Sequence, residues 1–382
     1  MKNGLLFLML LSFFLYSCEQ EEVIDDLKET TYGDQILTRT EKSIADFDVL
    51  SELGNADVPV NIVNTVSGKC LFMNSNKTVS LTNNKDDQNA KWSFNGRSIK
   101  YVGSLITEGA PYYLMRNTLN GADNPMVALA MDPSSMMLTC KMQNINSTEK
   151  DCFYIYGSKM GIGTPGKDYL QPQSKDKNSL VFNSTSNLSS WSVEPIGEYE
   201  LVKIEYVRTD IDDIIPSFIA AQYKIVDNGG DTTEESNMSF SYNIKETSNY
   251  SKTEGVTMSS SLNFQVGVPN LSGLNGGSLG MGVTVGSQTS RTYMFGTTND
   301  ETLTISVSEK VSIPAHKKYK IEMGICHYYG TLTYVITMRN PLTGKVFKMR
   351  GKWDGDCYAY TSVKITDITD GGNELIGQKI FV

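Results

Sequence analysis

Period-two alternation of apolar and polar side chains dominates the second half of this chain. Met238, Phe240, Tyr242 and Ile244 alternate with Ser239, Ser241, Asn243 and Lys245. Leu303, Ile305, Val307, Val311 and Ile313 alternate with Thr302, Thr304, Ser306 and Ser308. Successive side chains on a strand point to opposite faces, so each run predicts a β-strand with one apolar face. Leu201–Val207, Tyr319–Met323 and Gly330–Met338 read as further strands, and Gln222–Val226 leads into an Asn228-Gly229-Gly230 turn. Several of these runs exceed the usual five or six residues. Ser and Thr fill the polar face, where Lys and Glu are usual.

The same alternation continues through 255–290, a stretch without one charged residue in a chain that is 20% charged. Val256, Met258, Leu262, Phe264, Val266 and Val268 share one phase of its first arm, and Leu279, Met281, Val283 and Val285 one phase of its second. Pro269-Asn270 and Asn275-Gly276-Gly277 supply turn chemistry between the arms. The pattern predicts a hairpin with its tip at Pro269–Ser278. About thirteen residues at ~3.3 Å each make the first arm roughly 43 Å long. Tilted by ~45°, such an arm covers the ~30 Å hydrocarbon core of a bilayer. A lone hairpin in lipid would leave edge N–H and C=O groups unpaired, so several copies would have to close into a barrel. The same alternation also suits an amphipathic hairpin packed on a soluble sandwich.

From Val60 to Pro195 the texture is short apolar bursts separated by Asn, Ser, Gly, Asp and Lys turns. Cys70–Ser75 running to Trp92 is echoed by Tyr169–Ser174 running to Trp191. A weaker copy lies between them, from Tyr112–Met115 through Met137–Cys140 to Phe153-Tyr154. Three units of roughly 40 to 50 residues, none able to bury its own apolar face, predict a β-trefoil. Trp92 and Trp191 read as core residues. Gly161-Ile162-Gly163-Thr164-Pro165-Gly166 satisfies a G-x-G-x-x-G string, but no helical period follows, so it reads as a turn.

The chain starts with Lys2 and the apolar run 5–16, a targeting segment to be excluded from the fold. Residues 18–57 are polar and acidic and read as a tether, within which 43–54 suits one short helix with Ser43 as N-cap and Gly54 as its stop. At 382 residues the chain has room for two domains and a tail. A net charge of −9, with no basic patch interleaved with aromatics, argues against nucleic acid and against capture by an acidic lipid surface. With only His316 and His327, a three-His metal site is impossible and a His-based triad has no visible scaffold. No enzyme activity, cofactor or metal is expected. The acidic turn around Asp210, Asp212 and Asp213 reads as solvated. In an exported chain, Cys140–Cys152 and Cys326–Cys357 are candidate disulfides, with Cys70 left free.

Three resemblances add to this reading. Leu15-Tyr16-Ser17-Cys18 resembles the lipobox of bacterial lipoproteins, with Tyr16 bulkier than usual. It implies a signal peptide at 1–17, lipid on Cys18 and, with Glu19-Gln20-Glu21-Glu22, an outer-membrane surface location; plain secretion is the alternative. The threefold pattern resembles ricin-B-type trefoil lectins, although Gln88 stands four residues before Trp92 and Trp191 has no nearby Gln, so no glycan-contacting residue carries over. The strand at Met238–Glu254, the uncharged hairpin, the strand at Glu301–Lys310 and the Val311–Ala315 step resemble the aerolysin/ETX–MTX2 family of β-pore-forming proteins. Together they imply an all-β chain: a β-trefoil at 58–196, then an elongated aerolysin-like antiparallel sheet domain at 197–382. They further imply a target membrane, a cell-surface glycan and a homo-oligomer as partners, with Val256, Met258, Leu262, Phe264, Val266, Val268, Leu279, Met281, Val283 and Val285 facing lipid. A non-pore, glycan-binding adhesin lipoprotein is the alternative.

Overall fold

A computed structural model describes residues 38–39, 47–105, 111–118, 123–130, 139–145, 152–158, 166–253, 255–257 and 264–382. The expected signal peptide at 1–17, Cys18, most of the expected tether, Met258, Leu262 and most of the Gly161–Gly166 string lie outside them. The described chain is all-β apart from one short α-helix and a few 3-10 turns.

Twelve strands form the first sheet. They are β2 (Val60–Asn64), β3 (Cys70–Met73), β4 (Val79–Thr82), β5 (Trp92–Asn95), β6 (Ser98–Tyr101) and β7 (Tyr112–Asn117), followed by β8 (Asn124–Leu129), β9 (Lys141–Asn144), β10 (Phe153–Ser158), β11 (Lys167–Pro172), β12 (Leu180–Asn183) and β13 (Ser190–Pro195). Six of them close a ring, β2-β5-β6-β9-β10-β13 and back to β2. The hairpins β3–β4, β7–β8 and β11–β12 complete three four-stranded units, the topology of a β-trefoil. Trp92 and Trp191 are fully buried and make equivalent hydrogen bonds, from Nε1 to the carbonyls of Leu71 and Leu170. The middle unit ends at β9, so Phe153, expected to close it, instead opens the third unit. A strand rather than a helix follows Gly166, as the turn reading requires.

Helix α1 (Val49–Asn55) starts five residues later than expected for Ser43 as N-cap, with Asp48 in that role, and continues one residue past Gly54. Gly54 serves close packing rather than termination, since a Cβ there would meet the Phe94 carbonyl oxygen at 2.7 Å. Val49, Leu50 and Leu53 are buried. The end of the expected tether is therefore part of the packed fold.

The second sheet contains β1 (Thr38–Arg39), β14 (Glu200–Val207), β15 (Ile214–Asn228), β16 (Glu234–Thr253), β18 (Val283–Val285), β20 (Thr298–Ile313), β21 (Lys317–Arg339), β22 (Val346–Asp367) and β23 (Glu374–Phe381). The two runs expected as separate strands at Tyr319–Met323 and Gly330–Met338 are one strand, β21, about 75 Å long at ~3.3 Å per residue. Strands β14 and β15 pair with successive halves of β21, and β22 lies along its other side. Where β23 occupies the edge of β22, the β16–β20 ribbon packs its apolar face over the sheet. Met238, Phe240, Ile244, Val307, Val311 and Ile313 meet Tyr319, Ile321, Met323, Ile325 and Val363 in one core. The Ser/Thr face of the ribbon points outward, tied across the strands by Ser239–Ser308, Ser241–Ser306 and Asn243–Thr304 hydrogen bonds.

All five described cysteines are free. Cys326 is opposite Tyr360 and Cys357 opposite Tyr328, so the two are offset by two residues of β21, roughly 7 Å along the strand, in addition to the inter-strand spacing of ~4.8 Å. Cys152 accepts from the Ile145 amide, five residues from Cys140. Both separations exceed disulfide reach.

Candidate functional site: the segment between β16 and β20

Strands β16 and β20 pair from Glu234↔Ile313 to Asn249↔Thr298. Residues 255–297 are inserted between them, so a segment that leaves the protein surface remains attached at both ends to one antiparallel ribbon. Its first residues are stitched to the trefoil. The Val193 amide donates to the Gly255 carbonyl at 3.0 Å, and the Thr257 amide donates to the Val193 carbonyl at 2.8 Å.

Beyond this stitch, β17 (Gln265–Pro269) pairs with β19 (Ser287–Met294), not with Leu279–Val285 as the sequence pattern suggested. The register shifts between Gly267 and Pro269. A side chain at Gly267 would overlap the Gln288 carbonyl, and Pro269 has no N–H to extend the ladder. The turn therefore covers 270–286, longer than the expected tip at Pro269–Ser278. The second predicted arm finds other partners: β18 inserts between β14 and β1. The rest of the turn is pinned by Tyr328 Oη donating to the Gly277 carbonyl at 2.9 Å, Arg208 Nη1 to the Leu279 carbonyl at 2.9 Å, and the Gly282 amide to the Arg208 carbonyl at 2.9 Å.

The predicted apolar phase faces protein at most described positions. Val256, Val266, Val268, Leu279 and Val285 are buried, Phe264 and Val283 are half-buried, and Met281 is exposed. Phe264 stacks on Phe295 with centroids 4.9 Å apart, and Phe295 meets Tyr334 edge-on at 5.5 Å. Beneath them the Tyr206 and Tyr250 hydroxyls lie 2.9 Å apart, and Tyr206 donates to the Gly267 carbonyl at 2.5 Å. Burial pushes both phenols above their ordinary range, so they remain neutral donors.

One charged cluster joins the segment to the sheet. Glu246 of β16 is fully buried and accepts from Arg291 Nη1, from Tyr293 Oη at 2.7 Å and from the Tyr358 amide at 2.8 Å. Burial raises the Glu246 carboxyl above its ordinary range, against the lowering influence of Arg291. Neither Glu246 nor Arg291 stands out by alternation. The signal that could have found them is that Arg291 is the only charged residue in 255–299. Among the described residues no His, Cys, Asp and Glu cluster suits a metal ion, and no helix is long and apolar enough to cross a membrane, which leaves β-barrels unaddressed.

Comparison with curated proteins gave no match. Among solved structures, lamprey immune protein aligns at 14% identity over 84% of this chain and 94% of its own, with a TM-score of 0.34. The Mpp75Aa1.1 β-pore-forming protein from Brevibacillus laterosporus aligns at 14% identity over 59% of this chain and 86% of its own, with a TM-score of 0.28. The hemolytic lectin CEL-III aligns at 10% identity over 77% of this chain and 57% of its own, with a TM-score of 0.28. Residues 178–369, just over half of the chain, match the family described as Clostridium epsilon toxin ETX/Bacillus mosquitocidal toxin MTX2. That match runs from the last trefoil hairpin through the whole inserted segment and both long strands, and the chain belongs to this family of pore-forming toxins.

Proposed function

We propose that this protein is a surface lipoprotein, anchored at Cys18, whose trefoil docks onto a target and whose inserted segment then leaves the sheet to build a membrane β-barrel with other copies. The observation that carries the reading is the position of the uncharged, two-faced segment between two paired long strands. Val256, Met258, Leu262, Phe264, Val266, Val268, Leu279, Met281, Val283 and Val285 are its lipid-facing residues. The resting contacts are non-covalent: hydrogen bonds, aromatic packing and one ion pair, with every described cysteine free. A glycan on the target surface is the ligand class that fits a trefoil of this type. The outer membrane is the proposed location of the anchored form.

Val207 and Thr284 are register partners across β14 and β18, where antiparallel Cα atoms approach within disulfide range. A Val207→Cys/Thr284→Cys variant therefore locks the segment to the sheet when oxidised. Burial holds the native Cys70 and Cys326 thiols up at about 11, so they do not compete for oxidation. On dye-loaded vesicles of phosphatidylcholine and cholesterol carrying a mixed glycolipid extract, wild-type protein releases dye. The oxidised variant is inert, and reductant restores its release. Release by the oxidised variant equal to wild type removes the segment from the mechanism. Glycan-dependent binding with persistent monomers and no release selects the non-pore adhesin reading.

A further inference from the structure

The inserted segment makes many neutral contacts and one ionic one. Arg291 is 14% exposed and Glu246 0% exposed. Three strands meet at the pair: β16 supplies Glu246, β19 supplies Arg291 and Tyr293, and β22 supplies the Tyr358 backbone. Arg291 is itself clamped. Its Nη2 donates to the Tyr358 carbonyl at 2.8 Å, its Nε to Gln288 Oε1 at 2.8 Å, and its guanidinium lies 5.3 Å from the Tyr358 ring centroid. Directly across the β16–β20 ladder from Glu246 stands Glu301. Like charges directly opposite on neighbouring strands destabilise a sheet, so Arg291 also offsets a repulsion built into the ribbon.

We infer that the Glu246–Arg291 pair is the latch that holds the inserted segment on the sheet, with Tyr293 orienting the carboxylate. The inference rests on the reading that this segment is the part that moves. Withdrawing β19 carries Arg291 away and leaves Glu246 beside Glu301 without its cation. Removing one member of a buried pair is far more costly than replacing both. The pair therefore sets a threshold that the neutral hydrogen bonds along the rest of the segment do not.

Backbone hydrogen exchange of the soluble full chain tests this before any membrane is present. In Glu246→Gln and Arg291→Gln, amides of 264–297 exchange on the order of 100-fold faster than in wild type. Amides of β21 and β22 stay unchanged, apart from that of Tyr358, which donates to Glu246 itself. The double variant Glu246→Gln/Arg291→Gln, with no charge left unpaired, exchanges more slowly than Arg291→Gln alone. Tyr293→Phe keeps both charges and removes a single donor, so it gives a gentler increase of about tenfold and covers the case in which the charge variants fail to fold. Exchange in 264–297 within twofold of wild type in all variants overturns the latch, as does an equal increase throughout β21 and β22. Vesicle release separates this result from the pore reading. Faster exchange without release by any variant keeps the latch and removes the pore. Wild-type release with Arg291→Gln unchanged in both measurements keeps the pore and removes the latch.

Discussion

At the scale of single residues, the acidic turn after β14 is the sharpest departure from the sequence pattern. Its carboxylates read as solvated, yet the Asp212 side chain is fully buried. Asp212 accepts from the amide and hydroxyl of Thr209, from the amide and hydroxyl of Thr333, and from Lys352 Nζ. It joins the β14–β15 turn to β21 and β22 at the point where β21 changes partner from β14 to β15. Asp212→Ala removes the acceptor shared by four Thr209 and Thr333 donors and the counter-charge of Lys352, whose Nζ keeps the Ile211 carbonyl, and is expected to cost about 3–5 kcal/mol of stability, measured by urea denaturation. Asp212→Asn, which keeps an acceptor, costs less. At the other end of β21, hydrogen bonds from Lys317 and Thr369 hold the Asp367 carboxyl down at about 2, below the ordinary carboxylate range. A carboxyl depressed in the folded state stabilises it above the unfolded value, and that contribution fades as pH falls through the folded one. The denaturation midpoints of wild type and Asp367→Asn should therefore differ by a constant amount above about pH 5 and converge toward about pH 2. A gap that persists unchanged at the acid limit overturns this assignment.

At the scale of elements, the alternation in β16, β20 and β21 was legible because one face of each is buried and the other wet. In β16 and β20 the predicted apolar phase is the phase that fills the core. The trefoil was legible through its two tryptophans, whose spacing from the second strand of their units is the same. The middle unit was misphased because it lacks that marker: without a Trp, nothing in the sequence says whether Phe153 closes one unit or opens the next. The pairing of the inserted segment was not legible at all. Period two states which face a residue occupies but not which strand it meets. The choice between β17–β18 and β17–β19 is made by Pro269, by the space available only to Gly267 and by the open edge of β14. Glu246 escaped notice for a related reason. It continues the apolar phase of Met238, Phe240, Tyr242 and Ile244, so it sits where alternation asks for a hydrophobe, and its partner is 45 residues away.

At the scale of the whole molecule, the question is how an event at the trefoil reaches the inserted segment. Helix α1 packs between β5 of the trefoil and β22 of the long sheet, with Lys345–Asp57 and Lys348–Glu52 contacts beside it. The direct route is shorter. The last trefoil strand, through Val193, brackets the root of the segment at Gly255 and Thr257. Gly255 has φ +66° and lies against the Phe153 ring, where any side chain would overlap, so both its backbone and its lack of a Cβ are required. Gly255→Ala should open this bracket at a cost of about 1–3 kcal/mol. The expected signature is local: amides of Val193 and Thr257 lose exchange protection while the trefoil ring, held by its own closed pairing, keeps its protection. Uniform loss of protection across β2 to β13 would instead show that the bracket is inseparable from the trefoil core. If the bracket opens alone, linkage requires that any trefoil ligand favouring the open form promote release of the segment by the same factor by which release tightens that ligand. Ligand affinity of Gly255→Ala, compared with wild type, then measures the coupling without a membrane. An unchanged affinity means that docking only concentrates the protein at its target and the trigger lies elsewhere.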